Sequence, residues 1–278
     1  ASNIPGLSGV PVKIDLRELY FTLYPSFADI AIGRQIVNFG KGTVLSPIDI
    51  FSPVNITDIS FKRNGSDVIR VKVPLGTLSG IDFITQLPAG DLEHSSALKA
   101  FTNFHNFDID LTGIYRHKAN EAIFGVSFKG DLFAGIYGEF TGHFTNKFKS
   151  HYAECMIGTD YSILSNNLIF NLEYNYNQNP LNPDSLSERN LNSINKALFR
   201  KHYIFFNTRY SINELLSVSA NLIYNIQDAA LAGTVMARYN ILQNVYLTGY
   251  IRGYHNNLNG LHIPQPDIEY SMRAEVAF

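Results

Sequence analysis

Four arginines spread over the last third of the chain carry the most specific chemistry in the sequence. They are Arg209, Arg238, Arg252 and Arg273. The planar guanidinium group binds carboxylates and phosphates through two parallel hydrogen bonds. If the four side chains share one surface, they predict a basic track that selects anionic solutes. In the alternative interpretation, glutamates on the same surface pair with these arginines and leave it near neutral. The candidate glutamates are Glu139, Glu173, Glu269 and Glu275.

Residue spacings typical of enzymes are missing from the sequence. No HExxH, CxxC or GxSxG pattern occurs, and the eight histidines lack the spacing of metal ligands. Gly40-Lys-Gly-Thr43 resembles part of a phosphate-binding loop, but Gln35 stands where that loop needs a glycine. The sequence therefore predicts no enzyme, no metal site and no cofactor.

Composition narrows the class of protein. The net charge of -2, from 22 basic and 24 acidic residues, gives no reason to expect a nucleic-acid partner. The single Cys155 excludes an internal disulfide. No apolar run approaches the roughly 20 residues of a membrane-spanning helix, so any membrane role must come through strands. Interfacial aromatic girdles would then consist of Tyr and Phe, because Trp is absent.

The last ten residues alternate strictly between polar and apolar side chains. Glu269, Ser271, Arg273 and Glu275 alternate with Tyr270, Met272, Ala274 and Val276, before a final Phe278. A period of two gives a strand one apolar face and one polar face. A closed barrel in lipid turns the apolar face to the bilayer and the charges into its lumen. The aromatic end also resembles the C-terminal signature of bacterial outer-membrane β-barrels.

Amphipathic strands recur along the whole chain. Most run for ten to thirteen residues, near the about 9–11 residues of a tilted transmembrane strand. Short turns alternate with longer connections, as in barrels whose turns are periplasmic and whose loops are extracellular. The predicted strands are 12–24, 28–40, 67–75, 79–88, 97–106, 107–116, 120–129, 132–144, 150–162, 166–177, 201–212, 215–225, 229–241, 244–254 and 267–278.

The predicted fold is all-β: a transmembrane antiparallel up-and-down β-barrel. Fifteen predicted strands conflict with the even number of bacterial barrels, so we expect about sixteen strands, with fourteen as the alternative. Residues 1–11 make a poor strand, because they contain Pro5, Gly6, Gly9 and Pro11. Residues 1–278 are predicted to form one barrel domain, which could be the C-terminal part of a longer precursor.

Residues 16–55 resemble a signature of some large Gram-negative porins. The matching stretches are Leu16-Arg-Glu-Leu-Tyr20, Asp29-Ile-Ala-Ile-Gly-Arg-Gln35, Asn38-Phe-Gly40 and Ser46-Pro-Ile-Asp-Ile-Phe-Ser-Pro-Val-Asn55. The pattern is similar to that of alginate-export-like and related porins. Phe39 stands where Trp is usual, and Pro53-Val54-Asn55 replaces an Asn-Pro-Asp ending. The resemblance implies a passive substrate channel.

Segment 41–60 is predicted to fold into the lumen as a constriction loop. It is rich in Val, Leu, Ile, Phe and Pro, and an apolar extracellular loop would be poorly solvated. The candidate constriction residues are Val44, Asp49, Phe51 and Asn55. The alternative is a loop packed over the barrel mouth or against another subunit.

Alternation also assigns charged residues to the lumen. A Lys or Arg on the lipid face at mid-depth costs about 2–4 kcal/mol, which constrains these assignments. Arg34 fits only if a bulge at Gly33 rotates it inward. The predicted pore-lining residues are Arg34, Arg70, Lys72, Glu139, Glu173, Arg209, Arg238, Arg252, Arg273 and Glu275.

The sequence thus predicts a porin in the bacterial outer membrane that allows passive diffusion of small, anionic, hydrophilic solutes. Its expected partners are outer-membrane lipid, small anions and, within a complex, other outer-membrane proteins. One alternative is a barrel subunit of a larger surface or secretion assembly. The other is a lipase-like barrel enzyme, which would need His and Ser on the lipid face. His143, in contrast, is predicted to face the lumen without a matching Ser.

Overall fold

Fifteen antiparallel strands follow one another in chain order within a single sheet. The computed structural model describes residues 16–54, 61, 63–87, 94–145, 149–180, 200–256 and 268–276. The strands are β1 Leu19–Leu23, β2 Asp29–Gln35, β3 Ser66–Gly76, β4 Ser79–Gln86, β5 Ser95–Phe104, β6 Phe107–Arg116, β7 Glu121–Asp131, β8 Gly135–Thr145, β9 Ser150–Ile163, β10 Leu168–Asn177, β11 His202–Ser211, β12 Leu216–Asn225, β13 Ala230–Leu242, β14 Val245–His255 and β15 Ile268–Val276.

The prediction of an all-β, antiparallel up-and-down sheet is confirmed, and most strand bounds agree to within three residues. Strand 28–40 was too long, because β2 ends at Gln35 and residues 36–40 leave the sheet. The sixteenth strand is not found among the described residues. There β1 and β15 run in the same direction and do not pair with each other. Residues 12–15, 277 and 278 lie outside the described part of the chain.

Within the described ranges, no helix is long and apolar enough to cross a membrane.

The sheet has one apolar face that is exposed from strand to strand. Directly opposed residues of antiparallel strands point to the same side, so the register defines each face. Leu111 of β6 pairs with Val126 of β7, which pairs with Phe140 of β8. These three side chains are 57%, 44% and 55% exposed, although all are apolar. We call this side the apolar face and the opposite side the covered face.

Residues 36–54 lie against the covered face, and we call them the crossing segment. Val37, Phe39, Ile48 and Phe51 pack in one hydrophobic cluster with side chains of β3 to β7. Val44, Leu45 and Val54 belong to a second cluster with side chains of β8, β9 and β11 to β13. Burying an apolar side chain of this size contributes about 1.5–3 kcal/mol. The covered face and the crossing segment therefore form the hydrophobic core.

The sheet curves around the crossing segment. The ring of Phe61 contacts that of Phe205 in β11 at 5.4 Å between centroids. Ser66 in β3 is only five residues further along the chain, a link of at most about 18 Å. Eight strand spacings of about 4.8 Å separate β3 from β11, or about 38 Å in a flat sheet. A five-residue link and one ring contact cannot cover that distance, so β3 and β11 must bend toward each other.

Candidate functional site

Glu139 of β8 holds the first half of the crossing segment. Its Oε1 accepts hydrogen bonds from the backbone N–H of Lys41 and Gly42 at 2.6 and 2.7 Å. Its Oε2 accepts the Ser46 hydroxyl at 2.8 Å and the Ile48 N–H at 3.3 Å. The side chain is buried, and all four donors belong to the segment. Hydrogen bonds to a charged acceptor are the strong ones, so this carboxylate fixes the turn at residues 41–48.

Glu173 of β10 holds the adjoining turn in the same way. Its Oε2 accepts the N–H groups of Val44 and Leu45 at 3.1 and 2.8 Å, and its Oε1 accepts the Thr43 N–H. The Tyr137 hydroxyl donates to Oε1 at 3.0 Å. Glu173 is fully buried. Neither glutamate pairs with one of the four arginines, so the neutralising role considered for Glu139 and Glu173 does not match this geometry.

Ionic contacts tie further parts of the crossing segment to the sheet and to itself. The Asp49 carboxylate accepts the Phe39 and Gly40 N–H groups, both at 2.7 Å, and pairs with Arg63 at 2.6 Å. Lys41 Nζ lies 2.8 Å from Asp110 of β6, which also pairs with Lys99 of β5 at 2.9 Å. Sequence reasoning missed Asp110, Lys99 and Arg63, and the Lys41–Asp110 pair joins residues that lie far apart along the chain.

The predicted constriction residues divide into buried contacts and one position outside the described residues. Val44, Asp49 and Phe51 are 7%, 4% and 4% exposed, so all three face the core rather than open space. Asn55 lies outside the described residues. Val44 and Phe51 therefore help to pack the segment against the covered face, and Asp49 accepts hydrogen bonds from its backbone.

Strands β11 to β15 bring the four predicted arginines to the covered face. The register pairs Arg238 with Thr248, and Thr248 with Arg273, so these three side chains form one row. Arg238 and Arg273 both lie near Glu275, at 3.5 and 3.8 Å. Arg252 is buried beside Tyr254, and the register places it opposite Glu269. The covered face of β11 to β15 thus holds the four arginines against two glutamates, Glu269 and Glu275.

Arg209 differs from the other three arginines. It is exposed near the end of β11 and pairs in register with Ser219 and Ile169. It forms no ion pair with any of the described residues. On the same face but far along the strand order, in β3, Arg70 binds Asp82 with Nε–Oδ1 at 3.0 Å, and Lys72 lies over the Phe101 ring at 5.2 Å. We call the covered face of β11 to β15 the positive wall.

Arg34 lies on the apolar face rather than among the predicted pore-lining residues. It pairs in register with Leu19 and Asp67, and its guanidinium group binds the Asp67 carboxylate at 2.8 and 2.9 Å. Gly33 has a positive φ of 129°, as a bulge would suggest, but the pairing continues through it without a shift. Alternation therefore keeps Arg34 on the side of Ile32, and the expected inward rotation does not occur.

A buried polar cluster around His143 has the connectivity of an acid, histidine and hydroxyl triad. His143 Nδ1 lies 2.9 Å from Glu121 Oε1, and its Nε2 lies 3.2 Å from the Thr141 hydroxyl. However, Thr141 is 0% exposed and His143 is 1% exposed. A substrate cannot reach the hydroxyl in this arrangement, and the cluster lies on the covered face rather than the lipid face that the lipase interpretation requires. The described residues also contain no group of three or more side chains suited to bind a metal ion.

Comparison with known proteins gives a likeness to a solved structure. No family model matches the chain, and no curated protein matches it. The crystal structure of OccK11 (OpdR) from Pseudomonas aeruginosa, an outer-membrane porin, matches with a TM-score of 0.62. The match covers 93% of this chain and 80% of that chain, at 9% sequence identity. At this identity the likeness shows the fold alone: the fifteen-stranded antiparallel sheet matches a porin-like barrel. The more specific resemblance to alginate-export-like porins stays a prediction.

Proposed function

We propose that the chain forms a closed β-barrel channel in the bacterial outer membrane, through which small hydrophilic solutes diffuse passively. The observation that carries this proposal is the two-sided sheet. An apolar face exposed across successive strands is costly in water but favourable in lipid. Curvature toward the covered face and the porin-like fold agree with it. Closure would need one more strand between β1 and β15, since both run in the same direction.

The crossing segment would then narrow the lumen. It touches side chains from β3 to β13, so solutes must pass between it and the wall that it leaves open. The exposed charged residues of that wall are Arg209, Arg238 and Arg273. The complete barrel, residues 1–278, would act as one domain whose partners are lipid and passing solutes.

We further propose that the channel prefers anions. Without the buried Arg252, the positive wall has a net charge of +1, from three exposed arginines minus two half-buried glutamates. Three acids on the opposite side, Glu139, Glu173 and Asp110, do not offset this charge in the open lumen, because they are at most 4% exposed. Exposed cations on a low-dielectric wall raise the local concentration of anions. Candidate solutes are acidic sugars and other small anions.

The test is a measurement of conductance and reversal potential in planar lipid bilayers under a salt gradient. We expect discrete conductance steps and an anion-preferring wild type. Arg209→Glu should shift the reversal potential toward cations, because this guanidinium is exposed and forms no ion pair with the described residues. Lys149→Glu is the matched control, since it changes the net charge equally but lies in the connection after β8. A membrane without conductance steps would contradict the channel. A cation-preferring wild type, or equal shifts in both variants, would contradict only the anion preference.

A further inference from the structure

Histidines collect at one rim of the sheet, on the apolar face. We call it the long-loop rim, because it consists of the strand ends that are joined by the longer connections. Residues 36–65 form the first of these connections. His151, His202 and His255 pair in register with Phe144, Tyr176 and Leu231, which places them on the apolar face. His117 bonds Ser96 at 3.2 Å, and the His94 ring lies 4.5 Å from it. Five of the eight histidines thus lie at one level of one face.

Tyrosines lie immediately below these histidines. Tyr115 packs edge-on against His117 at 4.8 Å, and the Tyr174 hydroxyl bonds His202 Nδ1 at 2.8 Å. Tyr176 also lies against His202, at 5.2 Å. Amphipathic rings on the outward face of a barrel mark the membrane–water interface. The imidazoles therefore lie at the level of the lipid headgroups.

Lysines add positive charge at the long-loop rim, and the described acids at this rim already have partners. Two exposed lysines at this rim are Lys118 and Lys149, and Lys149 alternates with His151; Lys201 instead lies opposite the buried Asn177 and belongs to the covered face. Asp67 and Asp228 form ion pairs with Arg34 and Arg200, and Glu18 accepts the Ile36 N–H. Among the described residues, this rim therefore carries an excess of cations and N–H donors.

The turns of the opposite rim lack such basic side chains. Its seven turns lie between β1 and β2, β3 and β4, β5 and β6, β7 and β8, β9 and β10, β11 and β12, and β13 and β14. None of these turns, all of them described, contains Lys or Arg. Their exposed side chains include Phe27, Leu78, Phe133 and Leu215, with His105 as the one histidine. This difference between the two rims places the lysines and the cluster of histidines in one leaflet only.

We infer that the long-loop rim binds phosphorylated glycolipid headgroups of the outer leaflet. This inference rests on the proposed function, because it requires the barrel to lie in that membrane. Lysine ammonium groups attract phosphate, imidazole N–H groups donate to its oxygens, and the tyrosine rings hold the rim at the correct depth. Each lysine near the surface contributes about 1 kcal/mol, or about fivefold in affinity.

The test uses the full chain folded in maltoside micelles, which carry no phosphate. The retention of diphosphoryl lipid A is compared with that of the same lipid after removal of its phosphates, by quantitative mass spectrometry of the purified protein. We expect strong preference for the phosphorylated lipid and no competition by inorganic phosphate. Lys149→Gln should lower that preference by about fivefold. Lys72→Gln removes the same charge from the covered face and should leave the preference unchanged.

These measurements distinguish a failure of headgroup binding from a failure of the proposed barrel. Equal retention of the two lipids, or equal losses in the two variants, would overturn headgroup binding at this rim while the barrel stands. Competition by inorganic phosphate would replace the lipid by a free anion site and would also overturn it. Heat-modifiable migration on a gel reports folding in every sample, and a protein that fails to fold in micelles would overturn both the barrel and the inference.

Discussion

Glu173→Ala should release the crossing segment and raise the single-channel conductance. The substitution removes the acceptor for three backbone N–H groups, those of Thr43, Val44 and Leu45, and for the Tyr137 hydroxyl. Leaving a buried donor without an acceptor costs about 1–3 kcal/mol, so four donors cost about 4–12 kcal/mol before the structure relaxes. Even the lower value changes the equilibrium between the bound and released segment by about a thousandfold.

The assay for this prediction is single-channel recording of wild type, Glu173→Ala, and a variant that lacks residues 44–54. Both changes should increase the conductance, since each removes the segment from the lumen. Asn175→Ala is the matched control: Asn175 is buried on the same face of β10, two residues along, and holds no part of the segment. An unchanged conductance in Glu173→Ala and in the deletion would refute the placement of the segment in the pore. An equal increase in Asn175→Ala would refute the specific role of Glu173.

Two further predictions concern the sheet itself. Leu111→Lys places a charge at the middle of the apolar face and should lower the free energy of unfolding in lipid by about 2–4 kcal/mol. Asp108→Lys on the covered face should lower this free energy much less. Denaturant titration in vesicles measures both values, and equal losses would argue against a lipid-facing surface. Gly33→Ala should destabilise the β1–β2 pair by about 1–3 kcal/mol, because φ is 129° and the new Cβ would lie 2.4 Å from the Leu19 carbonyl oxygen. At Gly249 a Cβ meets nothing within 4 Å, so Gly249→Ala is the control, and comparable losses in the two variants would contradict this account.

Strand positions could be predicted from sequence because each strand carries its own local signal. An apolar–polar period of two and a turn at either end suffice, and both are visible within about ten residues. The same signal assigned Arg238, Arg252 and Arg273 to one face, as the register shows. The prediction for Arg34 was wrong, because it assumed that a bulge at Gly33 turns this side chain to the opposite face. Simple alternation with Ile30 and Ile32 places it on the apolar face.

The path of the crossing segment could not be predicted in the same way. Glu139 and Glu173 bind backbone N–H groups about 90 to 130 residues away in the chain, and every residue except proline offers such a group. No side-chain pattern in the segment therefore identifies its acceptor. Only the apolar content of the segment gave a signal, and it indicated burial without indicating where.

Burial also decides which charges can select a solute. Arg252 and Glu173 are both lumen-facing by alternation, yet they are 2% and 0% exposed, so they act within the core. Arg209 has the same residue type and the same strand face as Arg252, but its guanidinium is exposed and is not ion-paired to a described residue. A count of arginines therefore overstates the charge that a solute meets. The selectivity of this channel should follow the exposed residues of the positive wall, and Arg209 should have the largest single effect.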